Sequence, residues 1–146
     1  MPVADICFYH NAPDPLRVAC VLTAKAVSSG HRVSVLIPDG RRAQQFDYLL
    51  WSFQPLAFIP HVGAQSPLAA ETPVVIATDA RTLPHQDVLI NLGDQVPAGY
   101  ERYNRVLEVV APDELGRQAA RNRFRQYKSL GLSPSAHDLA QRNSHD

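Results

Sequence analysis

The chain has 146 residues, of which 45% are apolar and 19% are charged, and its 14 basic and 14 acidic side chains give a formal net charge of zero. This composition is typical of a folded globular protein, and the length suits one domain with a single core. With no net charge, a global electrostatic attraction to nucleic acid or to a membrane is excluded, so any such attraction must come from a local patch.

The N-terminal sequence and the two cysteines indicate the cellular compartment. Asp5 lies where a secretory signal would carry basic residues, and the apolar runs are too short to span a bilayer. A reducing compartment keeps thiols unpaired. We therefore expect a cytoplasmic protein in which Cys7 and Cys20 are free and buried.

The first half of the chain alternates between strand and helix patterns. Residues 6–9 predict a short apolar strand. Asp14 then has the position of a helix N-cap, with Pro15 as the first helical residue. Residues 32–37 alternate around three aliphatic side chains and predict a second strand, and residues 41–51 predict a second helix.

The second half is rich in buried strand patterns. Four prolines in residues 52–73 argue against a long helix there. Residues 74–77 and 88–92 are β-prone runs of the kind buried on both faces of a sheet, and residues 105–110 predict one more strand. The last helix is expected within residues 112–131, with acids in its first turn and cations further on.

This alternation predicts the fold class. Strands separated by helices favour a three-layer α/β domain with a mostly parallel central sheet and helices on both faces. We expect this single domain to span residues 1–132. Residues 133–146 show little periodicity, so we expect a flexible C-terminal tail there.

The residues that nucleotide or metal chemistry needs are missing from the sequence. No glycine lies between Tyr9 and Asp14, where a dinucleotide-binding turn requires one, and no P-loop pattern occurs. Cys7 and His10 would point to opposite faces of a strand and cannot share an ion, and no serine lies in a nucleophile-elbow pattern. We therefore expect no catalytic residues, no cofactor and no metal. The alternative is a nucleotide-binding α/β enzyme of unknown reaction, which the fold class alone suggests.

The last helix carries the most informative pattern. On a helical wheel, four cations fall on one stripe about 80° wide, with Phe124 at its border with the apolar face; they are Arg117, Arg121, Arg125 and Lys128. A solvated basic face is one interpretation. Successive steps along the stripe carry no acid, however, although like charges at this spacing repel. We therefore interpret the stripe as a binding surface.

An acidic peptide fits this stripe better than nucleic acid does. One short stripe on a neutral protein offers few phosphate contacts, which gives poor affinity at physiological salt. The stripe runs along an apolar border, so a peptide that ends in an apolar residue could use both features.

Three blocks of the sequence resemble the chi subunit of the bacterial DNA polymerase III holoenzyme. They are Ser-Gly-His-Arg-Val at 29–33, Leu-Trp at 50–51 followed by Phe-Ile-Pro-His at 58–61, and Ala-Arg-Asn-Arg-Phe-Arg-Gln-Tyr-Lys at 120–128 with Gly131. The second and third blocks are the specific ones. The resemblance implies a Rossmann-like fold without nucleotide chemistry and a non-catalytic role in the clamp-loader part of the replicase.

The resemblance also implies two protein partners and assigns residues to each. The acidic C-terminal tail of single-stranded-DNA-binding protein would bind the stripe of the last helix, with Phe124 as the aromatic neighbour. The psi subunit of the clamp loader would bind the segment around Phe58. Trp51 is either a core residue or part of that partner surface. DNA would be reached only indirectly, and no membrane is involved.

Overall fold

A computed structural model describes residues 5–52, 60–69, 72–84 and 87–140. Within these ranges the strands are β1 (Asp5–His10), β2 (Val33–Leu36), β3 (His61–Gly63), β4 (Val74–Ala77), β5 (Val88–Asn91), β6 (Arg105–Val109) and β7 (Ser135–Asp138). The α-helices in the same ranges are α1 (Pro15–Ser28), α2 (Gly40–Ser52) and α3 (Glu114–Ser129). Short 3-10 turns lie at Ala80–Thr82 and Tyr100–Arg102.

The strands form one sheet in the order β3-β4-β2-β5-β6-β1-β7. Every pairing between them is parallel. All residues of β2, β4 and β5 are buried, as is typical of parallel strands covered on both faces. The predicted parallel sheet is therefore confirmed.

Helices cover both faces of this sheet. On one face, α1 and α2 bury Cys20 and Phe46 against aliphatic side chains of the strands such as Val35. On the other face, Tyr127 of α3 packs with Phe8 and its neighbours. The predicted three-layer α/β arrangement is therefore correct.

Helix α1 begins at the capping residues that the sequence predicted, and α3 begins at a cap of the same kind. The Asp14 carboxylate accepts a hydrogen bond from the Arg17 N–H at 3.3 Å, and Pro15 is the first residue of α1. The Asp113 carboxylate caps α3 in the same way, 2.8 Å from the Gly116 nitrogen. This cap fixes the start of the helix that carries the basic stripe.

The C-terminal region differs from its prediction. A flexible tail was expected from residue 133, yet Ser135–Asp138 forms β7 and pairs with β1. The strand lies at the sheet edge and most of its side chains are exposed, so it needs no apolar periodicity in the sequence. Its backbone pairing with β1 supplies the order that the residue pattern did not reveal.

The two thiols have the environment that was expected. Cys7 and Cys20 are both free and buried. Burial raises the pKa of the Cys20 thiol to about 11, so this group stays protonated at neutral pH. Across the described part of the chain, no helix combines the length and the apolar character needed to cross a membrane.

Candidate functional site

Helix α3 presents four cations to solvent along one side, at steps of three or four residues. These residues, called the basic stripe from here on, are Arg117, Arg121, Arg125 and Lys128, and all four are exposed. The opposite side of the helix buries Ala120 and Tyr127 against the sheet. The packing of α3 therefore holds the basic stripe on the surface.

A cavity of about 230 Å³ lies between α3 and the carboxyl end of β1, and we call it the α3 pocket. Its lining consists of Phe8, His10, Asn11, Val110, Arg117, Ala120, Arg121, Phe124 and Ala136. Five of these side chains are apolar, and the two arginines are exposed, so they bound the pocket on its solvent side. The volume is below the roughly 300–1,000 Å³ of drug-sized sites and suits a single side chain.

Phe124 lies between the basic stripe and the α3 pocket. Its side chain is half-buried, and its ring centroid is 5.3 Å from that of Phe8 in a tilted arrangement. Phe8 in turn meets Tyr127 edge-on at 6.0 Å. These contacts fix one face of the Phe124 ring and leave the rest of it to form a wall of the pocket.

One stripe arginine has an acidic neighbour that the sequence argument overlooked. Arg121 Nη2 lies 3.0 Å from Glu114 Oε1, two turns earlier on α3, and both side chains are more than half exposed. The segment from Arg117 to Lys128 contains no acid, but Glu114 lies just before its first residue and reaches Arg121 from there. An exposed pair of this kind contributes only about 0.2–1 kcal/mol, so an incoming carboxylate can replace Glu114.

A buried polar cluster beneath α3 was also missed by sequence reasoning. Arg123 Nε donates to Glu108 Oε1 at 2.9 Å, and the Tyr127 hydroxyl donates to Glu108 Oε2 at 2.7 Å. Asn91 Nδ2 donates to the same carboxylate at 2.9 Å. Burial raises the pKa of Glu108, and the positive charge of Arg123 opposes this shift.

The buried cluster positions the wall of the α3 pocket. Arg123 also donates to the Asp94 carbonyl at 3.2 Å, and its guanidinium carbon lies 5.9 Å from the centre of the Phe8 ring. The cluster therefore ties α3 to β5, to β6 and to the ring against which Phe124 packs. A signal was available in the sequence, because position 123 falls within the apolar arc of α3, where a cation needs a buried acid.

The second predicted partner surface is only partly described. Phe58 lies outside the described residues. Trp51, at the end of α2, is 53% exposed, so the alternative of a core residue is excluded. Its ring centroid is 4.4 Å from that of His61, which anchors one side of the indole. Tyr48, one turn earlier, is 73% exposed, so α2 presents two aromatic side chains to solvent.

Comparison with known proteins identifies relatives over most of the chain. The family model described as DNA polymerase III chi subunit, HolC, matches residues 3–135. A protein of Pseudomonas aeruginosa named DNA polymerase III subunit chi is 38% identical over 124 residues, which cover 85% of this chain and 86% of the relative. Proteins of the same name are 28% identical in Haemophilus influenzae (84% of this chain, 85% of the relative) and 27% identical in Escherichia coli (80% of each).

Proposed function

Because the chain belongs to the DNA polymerase III chi subunit family, we propose that it is a non-catalytic accessory subunit of the replicase clamp loader that binds the acidic C-terminal tail of single-stranded-DNA-binding protein. The observation that carries this proposal is the α3 pocket, an apolar cavity bounded on its solvent side by Arg117 and Arg121. Such a site suits a chain end that has an apolar side chain beside a carboxylate.

The energies involved require both parts of the site. A guanidinium fork matches the two oxygens of a carboxylate, including a terminal one. Exposed ion pairs nevertheless bring only about 0.2–1 kcal/mol each, whereas a micromolar complex needs about −8 kcal/mol. The four cations of the basic stripe therefore fall short, and the terminal aromatic side chain of the tail supplies the remainder by entering the α3 pocket.

Single-stranded DNA is the competing ligand for a basic surface, and the site suits it less well. Proteins that bind single-stranded DNA stack successive bases on exposed aromatic rings along a cationic groove. Here Phe124 is half-buried against Phe8 and offers no stacking platform. Few phosphate contacts on a neutral protein also give weak binding at physiological salt.

We also propose that the exposed aromatic surface of α2 binds the psi subunit of the clamp loader, together with the segment that contains Phe58. The observation in favour is the exposure of Trp51 and Tyr48, because aromatic side chains of this kind are enriched at protein interfaces. Trp51→Ala and Phe58→Ala should each abolish a psi complex in co-purification. Little change in the melting temperature is expected for Trp51→Ala, because half of that side chain is exposed.

Calorimetry with a synthetic acidic peptide that ends in phenylalanine tests the tail-binding proposal. We expect micromolar binding that weakens with added salt and is lost when the terminal phenylalanine is deleted. Arg121→Ala should weaken binding at least about tenfold, or about 1.4 kcal/mol, because it removes part of the lining of the α3 pocket as well as one ion pair. The matched control is Arg41→Ala, which removes an exposed cation from α2 on the opposite face of the sheet.

Two results would overturn the assignment of this site. One is wild-type affinity in Arg121→Ala, and the other is binding of single-stranded DNA as tight as that of the peptide. The enzyme alternative has its own test, a thermal-shift screen with nucleotides. We expect no shift, and clear stabilisation by a nucleotide at micromolar concentration would revive that alternative.

A further inference from the structure

Strand β7 places alternate side chains on the two faces of the sheet. In its parallel register with β1, Ala136 pairs with Phe8 and His137 pairs with Tyr9. Register partners in a parallel sheet face the same side, so Ala136 faces α3 together with Phe8. His137 faces the opposite side, where its ring stacks on Tyr9 with 5.1 Å between centroids.

Ala136 lines the α3 pocket from the edge strand of the sheet. It lines the cavity and is exposed, whereas its neighbour Phe8 is buried. Its methyl group therefore leaves room between β7 and α3 that a larger side chain would fill.

The strand that carries Ala136 is held firmly in place. Asn11 Nδ2 donates to Asp138 Oδ1 at 2.9 Å, and Asn11 has the positive φ of 61° that aims its side chain from the end of β1. Asn11 and the adjacent His10 line the same pocket as Ala136. The pocket wall is therefore a paired and hydrogen-bonded strand.

We propose that Ala136 determines the size of the terminal side chain that the α3 pocket accepts, so that β7 is a specificity-determining wall of the peptide site. This inference rests on the proposed binding of an acidic peptide. The occupant is the C-terminal aromatic side chain of that peptide, because Arg117 and Arg121 border the same cavity and match its carboxylates in charge. Ala136 acts by leaving space for this ring.

Enlarging the side chain at this position tests the proposal without unfolding the protein. Ala136→Trp should weaken binding of a peptide ending in phenylalanine at least tenfold, because the indole fills the pocket. An exposed strand position tolerates a large β-prone residue, so the melting temperature should be retained. The matched control is His137→Phe, which keeps a ring on Tyr9 at the opposite face of the same strand and should bind the peptide normally.

A second variant distinguishes a change in selectivity for side-chain size from a general loss of peptide binding. In Ala136→Leu, the ratio of affinities for peptides ending in phenylalanine and in valine should fall at least fivefold, because only the larger side chain meets the added bulk. If the affinities for both peptides fall equally, or neither affinity falls, this inference alone is overturned. If the wild-type chain binds neither peptide, the proposed function is overturned together with it.

Discussion

Helix α3 carries arginines on two sides with opposite environments. On the buried side, Arg123 is 4% exposed and is paired with Glu108, which is fully buried. On the solvent side, Arg121 is 59% exposed and is paired with Glu114, which is 72% exposed. The two ion pairs have nearly the same length, 2.9 Å and 3.0 Å, and in both pairs the arginine belongs to α3.

The surroundings of the two pairs, and not their geometry, decide what each pair does. In a low-dielectric interior a lone charge is costly, so Arg123 and Glu108 depend on each other and on the fold. In water the same contact is weak, so Arg121 can exchange its partner at little cost. One side of α3 therefore stabilises the domain, and the other side is available for binding.

The largest expected effect is on the buried pair. Arg123→Met preserves most of the side-chain length but leaves Glu108 buried without its cation. Removing one partner of a buried pair costs about 3–5 kcal/mol, and urea denaturation would measure this loss. The control Arg121→Met should change the free energy of unfolding by less than about 0.5 kcal/mol. Similar losses in both variants would contradict the distinction between the two sides.

The pH dependence of the stability of Arg123→Met gives a second test of the difference between the buried and the exposed pair. Burial already raises the pKa of Glu108 above its ordinary 4.5, and removing Arg123 removes a charge that lowers it. The folded variant then binds a proton more tightly than the unfolded chain does, so its stability falls as pH rises above about 4.5 towards the folded pKa. The deficit relative to wild type should be larger near about pH 7 than near about pH 5, as denaturation curves at the two pH values would show.

Tyr127→Phe should have a smaller effect on stability. It removes the hydroxyl that lies 2.7 Å from Glu108 but keeps the buried ring and leaves the Arg123 pair intact. A hydrogen bond to a charged group is worth about 1.5–3 kcal/mol, which sets the expected loss. Tyr48→Phe is the matched control, because that side chain is 73% exposed. Removing its hydroxyl should leave the free energy of unfolding almost unchanged. Equal losses in the two variants would contradict the role of the buried cluster.

The four residues of the basic stripe should contribute unequally to peptide affinity. Arg117 and Arg121 line the α3 pocket, whereas Arg125 and Lys128 lie further along the helix. We expect Arg125→Ala and Lys128→Ala to weaken the acidic peptide only two- to threefold, or about 0.4–0.7 kcal/mol, with the difference vanishing at high salt. Calorimetry at two salt concentrations measures this, and a loss as large as that of Arg121→Ala would show that the pocket is not the centre of the site.

The sequence was informative where a local rule decides the structure. Asp14 and Pro15 predicted the start of α1, and the apolar runs predicted the buried strands β4 and β5. It was silent on β7, whose order comes from pairing with β1, more than 120 residues away in the chain. An apolar pocket beside the stripe, with Phe124 as a wall, was predicted, but Phe8 and Ala136 were not predicted as its lining, because they meet only after that pairing forms.

Arg123 shows a second reason why part of the structure could not be predicted from the sequence. A wheel displays which residues share a helix face, but it does not identify the acid across the interface. Glu108 lies within β6, a strand whose other residues after the first are aliphatic, and only the folded sheet brings its carboxylate to Arg123. The stripe on the exposed side needed no such partner, so the wheel alone located it.

A small effect is also expected at Glu114, which acts as an internal competitor for the peptide. Its carboxylate holds Arg121 at 3.0 Å, so an incoming peptide carboxylate must displace it. Glu114→Gln removes this charge, and because an exposed pair is worth about 0.2–1 kcal/mol, the peptide should bind about 1.4- to fivefold more tightly. Glu101→Gln, an exposed acid in the 3-10 turn at Tyr100–Arg102, gives the same change in net charge and serves as the control. A gain in Glu114→Gln that exceeds the gain in Glu101→Gln, measured by calorimetry at low salt, identifies local competition for Arg121. Equal gains would show that only the net charge of the protein matters, and tighter binding in neither variant would show that Glu114 does not restrain the stripe.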